Sequence, residues 1–519
     1  MNLKEMPLFF LDLQTTGTKP ESGAHILEIA WADNNGPVES SLVQLPNDEK
    51  IPYRIQLITG IFNEDMASAR SIEELFLVFE ERFQNHPCVI HFAQFEKPFL
   101  AEAFKKIEKE NKLEILCTHE IAKRLLPNLP TRGIKGLAGY FGFPSTDFKR
   151  SAQQVEATRA IWLGLTELLQ EQGVETHQQL QDWLAVTPKT SRTKYEYPLP
   201  KEKRLSLPDE PGVYRMVSKW DEILYVGKAT SLKDRVNSYF RGQKNRDPRK
   251  LEMLTQVYDL KVTVCGSPLE AALLETDEIK RLDPRYNISL KASKRGLVFF
   301  NRDFTEMDFE QNEEFYFGPF SSSVVFESLR NLSSCVVSGD FHDHIFYEQI
   351  DGLLVKEGVA TFCERYGFSI GKINMRTLLA LGVWWNRQYD FTTEDEDNIT
   401  DESLDNPLEL EDTEIVLTAE DIADKIERHI TRAGKTYLRS KELTRILNAD
   451  IEFKTVEDDR CYQLKVRKGV VAAEAAVERV QKINLWNNLD INTYDRMSVL
   501  LMELGKIRTA SGEVMVRTL

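Results

Sequence analysis

The stretch LDLQTTG, residues 11–17, decides how the first third of the chain is interpreted. It follows the apolar residues PLFF, and together they predict a buried strand that ends in polar residues. Alternate side chains of a strand share a face, so Asp12 and Gln14 are presented together at its tip. Two carboxylates at these positions would suit divalent metal ions, which take oxygen ligands. Because the second residue is an amide, the stretch is a working metal site, a damaged one, or an ordinary strand before a turn.

The composition is that of a globular protein with several domains. The 519 residues exceed what one hydrophobic core usually serves, and 42% of them are hydrophobic. The sequence has no apolar run of ~18 residues and no charged-then-apolar leader, so we expect neither a membrane span nor a secretory signal. Six scattered cysteines without a CxxC pair disfavour zinc, iron–sulfur and disulfide sites, and they predict free thiols in a reducing cytoplasm.

The net charge of −16 is unevenly distributed along the chain. Residues 394–414 hold eleven acidic residues and no basic one, with little apolar content, which predicts a solvated linker. Residues 201–295 hold twenty Lys and Arg against fourteen Asp and Glu. The charge of the whole chain is therefore a weak argument against a nucleic-acid partner.

The predicted architecture is α/β and multidomain. Pro and basic residues replace apolar periodicity over 186–205, which predicts a first linker, and the acidic run predicts a second over 391–415. These linkers separate an N-terminal domain over 1–185, a middle region over 206–390 and a C-terminal domain over 416–519.

Strands and helices alternate in the N-terminal domain. The segments LFFLDL, AHILEIAWA and PCVIHFA predict buried strands. The segments SIEELFLVFEERFQ and ATRAIWLGLTELLQEQG have the apolar spacing of helices, and the second ends at a glycine. Strands mixed with helices indicate an α/β sandwich.

Four stretches of this domain, in the order found in the family, resemble the DnaQ-like (DEDDh) 3′→5′ exonucleases. FLDLQTTG, residues 10–17, is similar to the first motif, F-x-D-x-E-T-T-G, and HFAQFEKPFL, residues 91–100, to the second, H-N-A-x-F-D-x-x-F-L. THEIAKRLLPNLP resembles the segment between motifs, and KRSAQQVEAT, residues 149–158, is similar to the third motif, H-R-A-x-x-D-A-x-A-T. The resemblance implies an RNase H-like fold over residues 8 to about 170.

The same resemblance implies that the metal site of this domain is degenerate. The family holds two metal ions with four carboxylates and uses a histidine as the base. Of the four carboxylate positions, the first keeps its acid as Asp12 and the third has the longer Glu96. The remaining positions, which include the base, carry Gln14, Lys149 and Gln154.

These substitutions remove the charge and the base that the family's chemistry needs. Two divalent ions need negative charge to offset their dehydration, and amides supply none. Lys149, with a pKa of ~10.4, cannot accept a proton near neutral pH. Glu156 or Asp147 could substitute for the lost groups. Otherwise the domain is kept for its fold and binds DNA ends or another protein.

A second pattern begins with PGVYRMVSKWDEILYVGKATSLKDRVNSYF, residues 211–240. Apolar alternation in GVYRM and ILYVG predicts two strands of a hairpin, with SKWDE as the turn. Ser231 is the predicted N-cap of a following helix that places Arg235 and Tyr239 one turn apart on one face. Further on, SPLEAALLETDEIKRL has helical spacing and carries Glu275. Each residue alone would be read as structural, and only the joint spacing indicates a site.

The joint pattern resembles the GIY-YIG nucleases, and among them the N-terminal nuclease domain of the UvrC/Cho excision-repair proteins. The stretches that carry the resemblance are LPDEPGVYRM, YVGKATSLKDRVNSYF, EAALLETDEIKRLDPRYNISL and, at residues 316–320, YFGPF. They imply a GIY-YIG α/β nuclease domain over 206–295 and a UvrC/Cho-like extension over 296–390.

The resemblance implies hydrolysis of one DNA strand with a single Mg²⁺ or Mn²⁺ ion held by Glu275. Tyr225 would act as the general base once its pKa of ~10 is lowered by Lys228 or by the hydrated ion. Arg235 would grip the scissile phosphate with two hydrogen bonds. The residues that would orient water and phosphate or brace the site are Tyr214, Tyr239 and Asn287.

The segment FRGQKNRDPRK, residues 240–250, predicts a DNA-contacting loop beside this site. Its five basic residues and one acid would bind the phosphate backbone without sequence preference and in a salt-sensitive manner. The alternative is a plain solvated loop. The predicted contacts are Arg241, Lys244, Arg246, Arg249 and Lys250.

The resemblance weakens towards the C-terminus. FESLRNLSSC keeps only Cys335, so the family's cysteine cluster cannot form from neighbouring residues. TAEDIADKIERHI and SKELTRILN predict two helices, and DIEFKTVEDDRCYQLKVRKG predicts a hairpin. This order would suit a small α+β module of the winged-helix type.

The sequence therefore predicts a cytoplasmic DNA-repair endonuclease of the UvrC/Cho GIY-YIG type, fused to an exonuclease-like domain that has lost its activity. Double-stranded DNA, damaged or nicked, is the expected partner, with a damage-recognition complex as a further one. No membrane and no small-molecule cofactor are expected. One alternative is a bifunctional nuclease whose altered ligands still trim 3′ ends, and another is a non-catalytic DNA-binding scaffold.

Overall fold

The computed structural model describes most of the chain as two compact units. The described residues are 1–46, 49–111, 113–143, 148–186, 194–241, 247–287, 296–339, 351–388, 417–454, 461–472 and 489–519. The first unit is Met1–Glu210 with Tyr214–Val264 and Pro284–Tyr286, and the second is Pro211–Val213 with Cys265–Asp283 and Asn287–Leu519. The predicted acidic linker over 391–415 lies outside the described residues, as do Asp147, Lys244 and Arg246.

The N-terminal part of the first unit is a five-stranded α/β sandwich with strand order β3-β2-β1-β4-β5. The strands are β1 Phe9–Thr15, β2 Ile26–Asp33, β3 Glu39–Leu42, β4 Cys88–Ile90 and β5 Ile115–Cys117. The helices are α1 Tyr53–Thr59, α2 Ile72–Asn85, α3 Ala93–Lys106, α4 Thr118–Leu125, α5 Ile134–Phe141, α6 Ser151–Glu171 and α7 His177–Ala185. Strands β1, β2 and β3 pair antiparallel, whereas β1, β4 and β5 pair parallel. The predicted RNase H-like fold is confirmed.

The two faces of β1 contribute side chains to two different hydrophobic cores. Phe9 and Leu11 are fully buried in one core with helices α2 and α3. Phe10, on the other face, packs with Trp162 of α6. Asp12 shares the face of Phe10 because side chains alternate along a strand, so it faces the start of α6.

A second α/β structure follows in the first unit, with strand order β7-β6-β8. Its strands are β6 Gly212–Val217, β7 Ile223–Ala229 and β8 Asp259–Val264, and its helices are α8 Lys201–Leu205, α9 Leu232–Ser238 and α10 Pro248–Gln256. The predicted hairpin and helix are confirmed, including the N-cap, since the hydroxyl of Ser231 accepts a hydrogen bond from Asp234 N at 3.1 Å.

The predicted linker over 186–205 differs from the structure at its C-terminal end. Residues Lys201–Leu205 form the helix α8. Leu199 is buried in the core that also holds Tyr214, and the ring of Tyr197 lies 4.8 Å from that of Phe240. The sequence gives no periodic signal for this packing, because single aromatic and aliphatic side chains make the contacts and Pro and basic residues separate them.

The second unit contains one helix from the GIY-YIG pattern and two further sheets. Its helices are α11 Pro268–Leu282, α12 Val324–Ser338, α13 Gly352–Tyr366, α14 Met375–Gln388, α15 Ala419–Ile446 and α16 Ile491–Thr509. Strands β9 Val298–Phe300, β10 Met307–Asp308 and β11 Phe317–Phe320 form a sheet of order β10-β9-β11. Strands β12 Asn448–Lys454, β13 Cys461–Arg467, β14 Val470–Ala472 and β15 Glu513–Thr518 form a sheet of order β14-β13-β12-β15.

The C-terminal region differs from the prediction in its helices. The two predicted helices are one continuous helix, α15, in which Gly434 lies mid-helix. A Cβ atom at Gly434 would lie 2.1 Å from the carbonyl carbon of Gly382 on α14, so the glycine permits close helix packing and does not end the helix. The predicted hairpin is confirmed as β12 and β13. Within the described residues, no helix combines the length and apolar character needed to span a membrane.

Candidate active sites

Asp12 and Glu96 form a buried carboxyl pair in the exonuclease-like part of the first unit. Asp12 lies on β1 and Glu96 on the first turn of α3, and they are 4% and 3% exposed. Burial raises the pKa of both carboxyl groups, and the charge of Asp12 raises the pKa of Glu96 further. One oxygen of each carboxyl group, Asp12 Oδ2 and Glu96 Oε2, is buried without a hydrogen-bond partner among the described residues. Without a bound cation, burial and mutual repulsion therefore favour the protonated form of this pair.

Glu28 is a third buried carboxylate, which none of the sequence motifs marks. It lies on β2 directly opposite Gln14. Arg150 holds it with its Nη2 2.6 Å and its Nε 3.0 Å from Glu28 Oε1, and Ser151 N donates to Oε2 at 3.0 Å. The only signal in the sequence is a charged residue inside the otherwise apolar strand AHILEIAWA. The charge that Glu28 brings beside Gln14 is therefore balanced by Arg150.

The remaining predicted residues of this site have ordinary surroundings. Lys149 is exposed, Gln14 is half-buried, and Gln154 Nε2 donates to the carbonyl oxygen of Phe148 at 3.2 Å. Glu156, which could have replaced a lost acid, lies 3.5 Å from the guanidinium of Arg159.

These residues do not fit a two-metal site. Gln14 and Gln154 supply no negative charge at two of the four carboxylate positions, and the third buried acid, Glu28, is bound to an arginine. Within the described ranges, no group of three or more His, Cys, Asp or Glu side chains is placed to hold a metal ion.

A cleft of about 590 Å³ adjoins Glu28 and Arg150. Four acids line it, namely Glu28, Glu39, Glu64 and Asp65, and two arginines, Arg70 and Arg150. Because the acids outnumber the arginines, the lining repels a phosphate backbone unless cations are bound.

Three tyrosines form a cluster in the GIY-YIG part of the first unit. Their ring centroids are 6.1–6.3 Å apart, and Tyr214 Oη lies 2.9 Å from Tyr239 Oη. Tyr214 on β6 is completely buried, whereas Tyr225 on β7 and Tyr239 after α9 are partly exposed. Burial raises the pKa of Tyr214 far above its ordinary value, so this phenol stays protonated.

Gly227 allows the rings of the cluster to approach the backbone of β7. A Cβ atom at this position would lie 2.4 Å from Tyr214 Oη and 2.8 Å from Tyr225 Cε1. The glycine between Tyr225 and Lys228 is thus required by the ring of Tyr214 on the neighbouring strand.

Arg235 places a cation beside the cluster. Its guanidinium lies over the ring of Tyr239, 5.3 Å from the centroid. Partial burial opposes its charge, but the oxygens of Tyr214 and Tyr239 outweigh this and raise the pKa of Arg235 above its ordinary value. The structure thus brings Tyr214, Tyr225, Arg235 and Tyr239 together. Lys228 follows them as a half-buried residue near the end of β7.

Glu275 and Asn287 belong to the second unit. Glu275 lies on α11 and is half-buried, and Asn287 is buried. On the same helix, Lys280 Nζ lies 3.0 Å from Asp495 Oδ2 of α16, and Arg496 Nη2 donates to Asp277 Oδ2 at 2.8 Å. A single carboxylate is a hard oxygen ligand, so its donor chemistry fits one Mg²⁺ or Mn²⁺ ion whose shell is completed by water.

Three of the predicted DNA contacts, Arg241, Arg249 and Lys250, are exposed in the structure. Arg204 of α8, which was not predicted as a contact, lies 4.9 Å above the ring of Phe240. Burial and the positive charge of Arg241 lower the pKa of Arg204. The end of the predicted linker therefore contributes to the basic surface.

Comparison with known proteins agrees with both patterns. UvrC-like GIY-YIG domains match residues 210–288, and the exonuclease family that includes RNase T matches residues 9–147. A Mycobacterium tuberculosis protein, whose provisional name is bifunctional exonuclease/endonuclease protein, is 29% identical over 299 residues, or 55% of this chain and 45% of that protein. The UvrABC system protein C of Nitrosomonas eutropha is 42% identical over 134 residues, or 25% of this chain and 22% of that protein. The chain spans less than half the length of these curated relatives.

Two solved structures resemble parts of the chain. The N-terminal endonuclease domain of Thermotoga maritima UvrC bound to magnesium has 32% identity and a TM-score of 0.16, covering 17% of this chain and 94% of that domain. Exonuclease X in complex with 5′ overhanging duplex DNA has 22% identity and a TM-score of 0.27, covering 34% of this chain and 99% of that protein. The family matches and the two sites lead to one conclusion: this chain joins a DnaQ-like exonuclease domain to a UvrC-like GIY-YIG domain.

Proposed function

We propose that the GIY-YIG domain is a metal-dependent endonuclease that cuts one strand of DNA. The observation that carries this proposal is the cluster of Tyr214, Tyr225 and Tyr239 with Arg235 beside it. A buried phenol, two accessible phenols and a guanidinium are suited to handling a phosphodiester and a water molecule. The match to UvrC-like GIY-YIG domains over residues 210–288 supports the same reaction.

Each residue of the cluster has a role that its surroundings favour. Tyr225 is the general base, and the positive charge of Arg235 favours its ionised form. Tyr214 stays protonated and, through its hydrogen bond with Tyr239, fixes the position of that second phenol. Arg235 binds the scissile phosphate. Lys228, the next polar residue on the strand of Tyr225, adds positive charge, and Asn287 braces the site.

Glu275 would hold the Mg²⁺ or Mn²⁺ ion. When bound, the ion supplies positive charge that stabilises the leaving oxygen and the charge developing on the phosphorus centre. The basic surface of Arg204, Arg241, Arg249 and Lys250 binds the DNA backbone without reading its sequence.

We further propose that the exonuclease-like domain does not hydrolyse DNA. The amides Gln14 and Gln154 and the neutralised Glu28 leave little negative charge to hold two metal ions, and the acidic lining of the cleft opposes a phosphate. The alternative, a bifunctional nuclease, is favoured by the name of the Mycobacterium relative and by the two acids that remain at the family's positions. A non-catalytic scaffold is the second alternative.

The biological setting proposed is DNA repair in the cytoplasm. The partners would be double-stranded DNA that is damaged or nicked, and a complex that recognises the damage. The relatives named UvrABC system protein C support this setting.

The proposal is tested by cleavage of end-labelled duplexes in Mg²⁺ or Mn²⁺. The duplexes are intact, lesion-bearing or frayed at the 3′ end. Wild type is compared with Glu275→Gln, with Asp12→Asn, and with Glu270→Gln as a matched control on the same helix α11. We expect a discrete internal cut that is lost only in Glu275→Gln. A ladder from the 3′ end that is lost in Asp12→Asn would establish the bifunctional nuclease, and tight binding without cleavage would favour the scaffold.

A further inference from the structure

Two helices from different nuclease domains pack against each other inside the first unit. Helix α5 belongs to the exonuclease-like domain and α10 to the GIY-YIG domain. Thr131, just before α5, donates from its backbone N to Thr255 Oγ1 at 3.4 Å, and Tyr258 Oη donates to the carbonyl oxygen of Tyr140 at 3.0 Å. Thr255 is completely buried, so this contact excludes water. We name it the α5–α10 contact.

Glycines of α5 make the contact close enough to position a side chain on α10. A Cβ atom at Gly139 would lie 1.8 Å from Gln256 Oε1 and 2.6 Å from its Cγ. One turn earlier, a Cβ atom at Gly136 would lie 3.6 Å from Glu252 Cγ. The space next to Gly139 is therefore filled by the amide of Gln256, which is 1% exposed.

The amide of Gln256 in turn holds the segment that follows α11. Its Nε2 donates to Tyr286 Oη at 2.6 Å, and its Oε1 accepts from Arg285 Nη2 at 2.6 Å. Tyr286 Oη also donates to Glu252 Oε1 at 2.7 Å. Burial raises the pKa of Tyr286, so its phenol remains a donor. The amide of Gln256 thus hydrogen-bonds to the side chains of both Arg285 and Tyr286.

This segment lies against the strand that carries the proposed base. Tyr286 N donates to the carbonyl oxygen of Leu224 at 3.0 Å, and Leu224 immediately precedes Tyr225. Along the chain, Tyr286 is followed by Asn287, which the proposed function assigns to the same site. A shift of Tyr286 therefore moves the backbone on which both residues depend.

We propose that the exonuclease-like domain serves the endonuclease as a positioning domain, acting through the α5–α10 contact and Gln256. This inference rests on the proposed endonuclease function. Gln256 is a positioning residue, since it contacts Arg285 and Tyr286 and lies outside the tyrosine cluster. The arrangement gives a domain without a fitting metal site a reason to be kept in the fold.

The test is the variant Gly139→Ala, measured by amide exchange and by cleavage. The added methyl group would lie 1.8 Å from Oε1, 2.2 Å from Cδ and 2.6 Å from Cγ of Gln256. These close contacts are with a side chain and not with the backbone, so the protein is expected to fold and the whole side chain to rotate, which turns the amide away from Tyr286. We expect hydrogen–deuterium exchange at the Tyr286 amide to speed up about tenfold or more. In cleavage, kcat is expected to fall about tenfold while KM for DNA changes less than twofold, because misplaced groups slow the reaction more than binding. The control is Gly36→Ala, whose Cβ would have ordinary contacts of 3.7 Å or more.

A double-variant comparison shows whether the effect passes through Gln256. Gln256→Ala removes the atoms that the methyl group would meet, so adding Gly139→Ala to it should change neither exchange nor kcat further. Full additivity of the two substitutions would overturn the proposal, as would wild-type exchange at Tyr286 in Gly139→Ala. Failure of the endonuclease function itself is recognised separately: wild type would then not cleave and Glu275→Gln would change nothing, while the exchange measurement would still decide whether α5 positions Tyr286.

Discussion

At the residue scale, the decisive feature of the exonuclease-like domain is the buried pair of Asp12 and Glu96, whose pKa values are raised by burial and by their mutual repulsion. The motif around residue 12 was enough to predict which positions had changed. It did not show that Asp12 and Glu96 are buried against each other, because burial depends on how α3 and α6 close over β1. Nor did it show Glu28, whose importance comes from strand register alone. The order of residues along the chain does not show which residue of a neighbouring strand lies opposite Gln14.

The carboxyl pair predicts a pH-dependent stability. Its folded pKa values lie above the unfolded values of about 4, so its contribution is fully present below pH ~4 and is lost as pH rises through the folded pKa values. The double variant Asp12→Asn/Glu96→Gln cannot titrate there. Between pH 5 and 8 we expect the unfolding free energy of wild type to fall relative to the variant by up to about 1.4 kcal/mol per pH unit for each retained proton. Urea denaturation at several pH values measures this difference.

The same measurement distinguishes a proton site from a metal site. Adding Mg²⁺ should not change the melting temperature of the exonuclease-like domain, either in wild type or in the double variant. A rise with Mg²⁺ in wild type that the double variant lacks would mean that the pair exchanges its proton for an ion, and the proposal of an inactive domain would be wrong.

A second residue-scale prediction concerns the hydrogen bond between Tyr214 and Tyr239. Tyr214→Phe keeps the buried ring and removes its hydroxyl, leaving the hydroxyl of Tyr239 without this partner. We expect a loss of about 1 kcal/mol in stability, and a fall in kcat of about tenfold or more because Tyr239 is no longer held in place. Tyr239→Phe breaks the same bond, so the double variant should be no worse than the poorer single variant. Additive losses in kcat would show that the two hydroxyls act independently.

At the element scale, sequence periodicity identified most helices and strands but misjudged where a helix continues. Gly434 resembles a break between two helices because glycine is a poor helix former. In the structure it faces Gly382 on α14, and the close approach of the two backbones stabilises a helix that local propensity would interrupt. A tertiary contact decided the outcome, and no local pattern reports such a contact.

The helix α11 gives an element-scale prediction. Lys280 and Asp495, 10% and 5% exposed, join α11 to α16 in the second unit, whereas the pair of Asp277 and Arg496 is more exposed. Lys280→Met removes the cation from a buried ion pair and should cost about 3 kcal/mol in unfolding free energy. The control Arg496→Met should cost less than about 1 kcal/mol.

The same two variants test whether α11 positions the proposed metal ligand, Glu275. Glu275 precedes Asp277 by two residues and Lys280 by five, so it points to the side of α11 away from α16. If α16 holds α11 in place from the side opposite Glu275, Lys280→Met should also raise the Mg²⁺ concentration needed for half-maximal cleavage. Arg496→Met should not raise it. Equal stability losses in both variants would contradict the assignment of the buried pair as the main link.

At the scale of the whole molecule, the sequence predicted the two nuclease domains but not the contact between them. Gly136 and Gly139 look like ordinary small residues of a helix, and Gln256 looks like a surface amide. The need for these residues is visible only once α5 and α10 are packed together. A glycine is then required because a Cβ atom at its position would clash with an atom of the neighbouring helix. Contacts between domains leave no periodic signal, whereas cores and motifs do.

Whole-molecule charge leads to the last prediction, which concerns salt. The chain carries a net charge of −16, yet Arg241, Arg249 and Lys250 are exposed within the GIY-YIG domain. If this local surface binds the DNA backbone, the logarithm of affinity should fall linearly with the logarithm of salt concentration. Replacing Arg241 by Ala should reduce that slope by about one and weaken binding equally for all DNA sequences.

A matched variant places the interaction on this surface. Arg365→Ala removes a partly exposed arginine that is already paired with Glu420 and Asp424, so it should leave the slope unchanged. Fluorescence anisotropy with a labelled duplex at several salt concentrations measures both slopes. If neither variant changes the slope, the basic segment is a solvated loop. DNA would then bind to another surface of the chain. Because the net charge of the chain is strongly negative, that surface would also be a small region of positive charge.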